Sequence, residues 1–135
     1  MTPSLTRLNP AAMPDSSALG YSQISLVEPG RMAFVSGQVA ALPGGDPVPE
    51  GLAAQTRAAV ANCAAALAAL GAAPADIAML RLYVVGLDGA AMGECYPVVL
   101  EWLAGAAPSI TGIGVAALAG PDLLIEIEMV VRVPG

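Results

Sequence analysis

Between Leu123 and Val133 the chain alternates strictly. Ile125, Ile127, Met129 and Val131 fall on one side, and Glu126, Glu128, Val130 and Arg132 on the other. A period of two sustained over this length describes a strand with one face on a core and the other open. A second run, Ile77–Val85, follows the same rule, with Leu80, Leu82 and Val84 opposed to Met79, Arg81, Tyr83 and Val85. Two such strands require a layer that covers their apolar face. The chain supplies it over Glu50–Leu70, where Leu52, Ala59, Cys63, Leu67 and Leu70 recur at helical spacing and Gly71 follows the helix end. The alanines of this segment favour helix and allow close approach to a sheet. The pattern is that of an α+β sandwich, one mixed sheet with two helices on one face.

The remaining elements fill in around this frame. Residues 1–20, with Pro3, Pro10 and Pro14 among small polar residues, read as an irregular N-terminal arm, and 21–135 as a single domain. Tyr21–Val27 and Met32–Ala41 read as strands, and the turn signal Glu28-Pro29-Gly30-Arg31 between them predicts a hairpin. A second helix spans about Ala90–Leu103. Pro97 lies inside it, so the helix either kinks there or restarts with Pro97 in its first turn. Ser109–Leu118 and Leu123–Val133 complete the order ββαβαββ. Once the helices cover one face, Val35, Val39 and Val130 are left on the other, an apolar surface that predicts an oligomer.

Charge and composition exclude several functions. The 135 residues carry a net charge of −6, with no lysine, no histidine and five scattered arginines. Nucleic-acid binding needs a basic patch, and none is present, which argues against a ribonuclease or a translation factor. Without histidine there is no Ser-His or Cys-His nucleophile pair and no imidazole ligand for zinc. Neither a secretory leader nor a membrane-spanning run is visible, so a cytoplasmic protein without a membrane partner is expected. Cys63 and Cys95 stand apart on the two helices and read as buried free thiols. No metal or cofactor is expected.

What remains for chemistry is carboxylate, hydroxyl and backbone amide. Glu126 and Glu128 share one strand face, and parity cannot separate them. Glu128 has Arg81 or Arg132 within reach as a balancing charge. Ser36-Gly37 interrupts an apolar strand, as either a place where a ligand approaches the backbone or a β-bulge without one. Tyr21 reads equally as a packing residue with a bonded hydroxyl.

In combination, the blocks Tyr21-Ser22-Gln23, Val35-Ser36-Gly37-Gln38, Ala54-Gln55-Thr56-Arg57, Tyr96 and Trp102, Gly114-Val115-Ala116-Ala117-Leu118 and Ile125-Glu126-Ile127-Glu128 resemble the RidA (YjgF, reactive-intermediate deaminase) family. The resemblance runs from about Tyr21 to Val131. It implies a chorismate-mutase-like fold and a homotrimer with a small-molecule cleft at each subunit interface, working without metal or cofactor. Deaminating members hydrolyse 2-imino or enamine acids. By position, Tyr21 would line the cleft, the backbone at Ser36 and Gly37 would contact the ligand, and Glu126 would hold the attacking water. The arginine that grips the substrate carboxylate is replaced by Ile110. An asparagine common in the second helix is replaced by Gly93, and a cysteine or threonine by Gly112. The chain thus looks like an arginine-lacking branch. Three functions stay open on this reading: hydrolysis or tautomerisation of a small imine or enamine other than the usual 2-imino acids, metabolite binding or sensing without turnover, and catalysis that shapes a reactive intermediate within one pathway.

Overall fold

The structure is a computed structural model that describes residues 3–135; Met1 and Thr2, the first residues of the expected arm, lie outside the described residues. Its elements are β1 (Leu5–Leu8), β2 (Ile24–Val27), β3 (Met32–Gln38), α1 (Leu52–Ala69), β4 (Ile77–Val85), α2 (Gly89–Leu103), β5 (Ser109–Val115) and β6 (Ile125–Arg132), with short 3₁₀ turns at Ser17–Leu19 and Pro74–Asp76. A four-stranded sheet runs in the order β3-β6-β4-β5. Only β4 and β5 are parallel, joined by the α2 crossover, so the sheet is mixed.

Both helices pack on one face of this sheet. Leu80, Leu82, Val84, Ile125, Ile127, Met129 and Val131 meet Ala59, Cys63 and Leu67 of α1 and Cys95, Val99 and Leu103 of α2. The alternation of β4 and β6 therefore has its physical cause in the helix layer. Each fully buried aliphatic side chain contributes about 1.5–3 kcal/mol relative to exposure. Helix α1 ends at Gly71, whose φ of 63° is one that a side chain disfavours. Asp88 caps α2 by accepting from the Ala91 amide at 2.8 Å. That helix runs unbroken through Pro97. The bond that proline cannot donate would have ended on the carbonyl of Gly93, which is exposed and open to water.

Three expectations are corrected. The arm is not wholly irregular, because β1 lies within it and pairs antiparallel with β2. The expected hairpin between the Tyr21–Val27 and Met32–Ala41 segments does not form, since β2 pairs with β1 and β3 with β6. The Arg132 guanidinium lies over Gly30 and donates to the carbonyls of Glu28 at 3.1 Å and Pro29 at 2.9 Å. The carbonyls of that turn thus find a side chain and need no hairpin ladder. Finally, Val35 packs against the helix-side core, and Phe34 takes the open face, 79% exposed.

Candidate functional site

On the open sheet face, β3 carries a bulge between Val35 and Gln38, which leaves Ser36 and Gly37 without ladder partners on β6. The bulge makes room for a side chain. A Cβ built on Gly37 would lie 2.6 Å from Cγ and 2.7 Å from Oε2 of Glu126. The glycine is required here because the Glu126 carboxylate rests on its backbone. Ser36-Gly37 is thus a bulge, and the space over Gly37 is taken by the side chain of Glu126.

Glu128 has a different environment. It accepts from Arg81 Nη1 at 3.3 Å and from the Tyr83 hydroxyl, its cross-strand neighbours on β4. That bond from Tyr83 to the Glu128 carboxylate holds the phenol above its usual range, because loss of the proton would remove the bond and place two anions together. Among the described residues Glu126 has no cation within ion-pairing distance. Parity puts Tyr83 on this face, but its bond to Glu128, which leaves Glu126 free, is set by the pairing of β4 with β6.

The second group lies on the helix side of the sheet. Leu19, Tyr21, Met92, Tyr96, Ile110 and Gly112 line a pocket of about 340 Å³, within the range of small-ligand sites. Its wall is set by the loop between β1 and β2. Ser16, fully buried, shares its one hydroxyl hydrogen between the Tyr21 carbonyl at 2.8 Å and Asn9 Oδ1 at 3.2 Å. Ser22 donates through its hydroxyl to the Ala107 carbonyl at 2.7 Å and through its amide to Pro108 at 3.1 Å. These bonds seat Tyr21, which precedes β2, beside the start of β5. Tyr96 donates to the Leu19 carbonyl at 2.7 Å, and burial holds its phenol above the usual range, with nearby Tyr21 adding to the effect. Met92 and Tyr96 are one helical turn apart on α2, a spacing that marks a shared face.

The structure brings Tyr21, Ile110 and Gly112 into one pocket, and Gly37 and Glu126 into another group. Within the chain these two groups face opposite ways: Ile110 pairs with the buried Leu80, whereas Glu126 pairs with Tyr83 on the open face. Gly93 is exposed on α2 and lines neither. A larger concavity of about 520 Å³ lies at the start of α1, next to Gln55, Asp122 and Leu124. Gln55 donates to the carbonyls of Pro49 and Asp122 at 3.1 and 2.8 Å and accepts from the Leu124 amide at 2.8 Å. Both its amide hydrogens are thus consumed by the fold. Among the described residues, no three His, Cys, Asp or Glu side chains gather as a metal site would need, and no helix is long and apolar enough to cross a membrane.

The family model described as endoribonuclease L-PSP matches residues 12–133. The chain belongs to the RidA/L-PSP family. A Yersinia pestis structure of the conserved Rid protein family, YyfB, of unknown function, is 37% identical with a TM-score of 0.89, over 96% of this chain and 98% of that one. Rv2704 from Mycobacterium tuberculosis, of the YjgF/YER057c/UK114 family, is 30% identical with a TM-score of 0.65, over 96% and 100% of the two chains. RidA from an Antarctic Psychrobacter is 26% identical with a TM-score of 0.68, over 83% and 87%. No curated protein matches the chain. The α+β sandwich described above is accordingly the chorismate-mutase-like fold of the RidA family.

Proposed function

We propose that the protein is a homotrimer whose subunit interfaces form clefts in which a small imine or enamine, other than the usual 2-imino acids, is hydrolysed or tautomerised. The observation that carries this reading is the division of the site. Glu126 and Gly37 lie on one sheet face, and Tyr21, Ile110 and Gly112 on the other. One subunit cannot bring them to a common ligand, whereas a neighbouring copy presenting its pocket to the open face can. Phe34, 79% exposed beside Met32 at 37%, supports a partner on that face.

In such a cleft the Glu126 carboxylate orients a water. The water oxygen bonds to the imine carbon while one of its protons passes to Glu126. Glu126 returns that proton to the nitrogen, so that a neutral imine becomes a carbinolamine and a protonated imine becomes the ammonium form of one. The C–N bond then breaks with its electron pair on nitrogen, the hydroxyl proton follows, and a carbonyl and ammonia leave. Tyr21 and the Ser36-Gly37 backbone hold the substrate. RNA cleavage, which the family description names, finds no support in a chain of net charge −6 without histidine.

A second reading, a trimer that binds or senses a metabolite without turnover, is favoured by the apolar pocket lining of Leu19, Met92 and Ile110. Light scattering tests the assembly, and a coupled assay that generates imines in place tests the chemistry. Wild-type turnover abolished by Glu126→Gln supports hydrolysis. Ligand binding without turnover in either protein supports the second reading, and a monomer at micromolar concentration sinks both.

A further inference from the structure

We infer that the cleft selects cations: its substrates are protonated imines without a carboxylate, and its other ligands the corresponding amines. The inference rests on the inter-subunit cleft proposed above and adds the charge of what it holds.

The positive charges of the chain are committed elsewhere. Arg7 is spent on Ser25 Oγ at 2.8 Å and the Ala75 carbonyl at 3.3 Å. Arg81 is paired with Glu128. Arg132 bonds three main-chain carbonyls, those of Glu28, Pro29 and Val133. It stands six residues from Glu126 along β6, about 20 Å at roughly 3.3 Å per residue. Arg31 and Arg57 are exposed, at the head of β3 and on α1. The chain has no lysine and no histidine. Among the described residues no cation lines the pocket, and none pairs with Glu126.

The two halves of the cleft offer acceptors and aromatic faces instead. Along the open face the Arg81–Glu128 pair cancels itself, so Glu126 contributes an uncompensated negative charge. The Tyr83 hydrogen is already committed to Glu128, which leaves that hydroxyl oxygen as an acceptor beside Glu126. Both groups therefore invite N–H donors. The pocket half presents two tyrosines and a methionine, and Tyr96 has likewise spent its hydrogen, on the Leu19 carbonyl. Aromatic rings attract cations, most strongly where water is displaced. A carboxylate would enter an environment that already resists a phenolate at Tyr96 and would find no donor at Ile110.

Three five-membered rings of nearly equal size separate the possibilities: pyrrolidine, cationic at neutral pH; 2-pyrrolidinone, neutral; and proline, which adds a carboxylate. Calorimetric or NMR titration of the assembled protein should show pyrrolidinium binding about tenfold or more tighter than 2-pyrrolidinone. That advantage should shrink with added salt. Proline should be the weakest of the three. Glu126→Gln, which is isosteric, and Tyr21→Leu should each remove most of the preference while light scattering shows an unchanged mass. Equal or tighter binding of 2-pyrrolidinone or proline, or binding of none of the three, overturns the inference. Failure of the two proposals is separable. Cation preference without any imine turnover ends the hydrolytic reading and keeps this one. Glu126-dependent turnover of neutral imines, with no preference for cations, does the reverse.

Discussion

Gly37→Ala should silence the site and spare the fold. A Cβ at this position would lie 2.6 Å from Glu126 Cγ and 2.7 Å from Oε2. Comfortable carbon–carbon contact is about 3.5–4.0 Å, so the side chain must retreat by roughly 1 Å. What must move is the end of a flexible glutamate on an open face, not backbone or core. Its cost is about 0.5–1.5 kcal/mol for an off-rotamer side chain. Replacing a strand glycine by alanine returns about 0.5–1 kcal/mol by restricting the unfolded chain. The two nearly cancel, and the melting temperature should move by less than about 4 °C. Activity has no such compensation, because a catalytic group misplaced by about 1 Å loses around 100-fold in rate. The measurement is ammonia release in the coupled imine assay, alongside thermal unfolding. The double variant with Glu126→Gln should be no slower than Glu126→Gln alone, since the alanine acts only through that carboxylate. Full activity in Gly37→Ala, or a loss that multiplies with Glu126→Gln, would refute the argument that Gly37 exists to seat Glu126.

Further outcomes are expected elsewhere in the molecule. Phe34→Asp places a charge on the open face and should reduce the mass in light scattering to that of one chain, with secondary structure retained by circular dichroism. Gln55→Leu orphans the Leu124 amide and two carbonyls. It should cost roughly 3 kcal/mol in urea unfolding, three hydrogen bonds at about 1 kcal/mol each. Ile110→Arg should raise hydrolysis of 2-iminopropanoate by about tenfold or more through a charge-assisted carboxylate bond, and should weaken pyrrolidinium binding. Burial pushes the Cys63 thiol from 9.0 up to about 12. The folded state therefore keeps a proton that the unfolded state gives up. That contribution is complete below pH 9 and is lost between pH 9 and 12. The decline in urea stability from pH 8 to 10 should be shallower in Cys63→Ala.

How far the sequence could be read depended on the range of the interactions that set each element. The faces of β4 and β6 were legible because one packed layer imposes the alternation, and the same physics placed Cys63 and Cys95 in the core. The pairing of β2 was not, because a turn signal says that the chain reverses but not which strand it joins. Here a distant residue, Arg132, satisfies the Glu28 and Pro29 carbonyls and frees β3 for β6. β1 was hidden for a similar reason. Four residues among prolines carry little pattern, and what orders them is Arg7 reaching Ser25 and the Ala75 carbonyl.

The candidate site shows the same division. Glu126 and Glu128 could not be told apart by parity, and the structure separates them by partner: Glu128 is held by Arg81 and Tyr83, and Glu126 rests on Gly37. The difference arises from a bulge on the neighbouring strand, 89 positions earlier for Gly37 against Glu126, and not from anything local to β6. Pairing carries a further consequence. A glutamate bound by arginine and a phenol is fixed in place and electrically spent, which suits a positioning role. A glutamate on a glycine is accessible and retains its charge, which suits proton transfer and attraction of a cation. Exchanging the two environments tests this directly. Arg81→Leu removes the cation from Glu128 and adds a second uncompensated charge to the face. It should strengthen pyrrolidinium binding by about two- to fivefold at low salt, an increment within the roughly 0–1 kcal/mol typical of exposed charge pairs. If Arg81→Leu instead weakens cation binding while the assembly stays intact, the guanidinium is part of the ligand site, and the separation of the two glutamates into a working and a structural group fails.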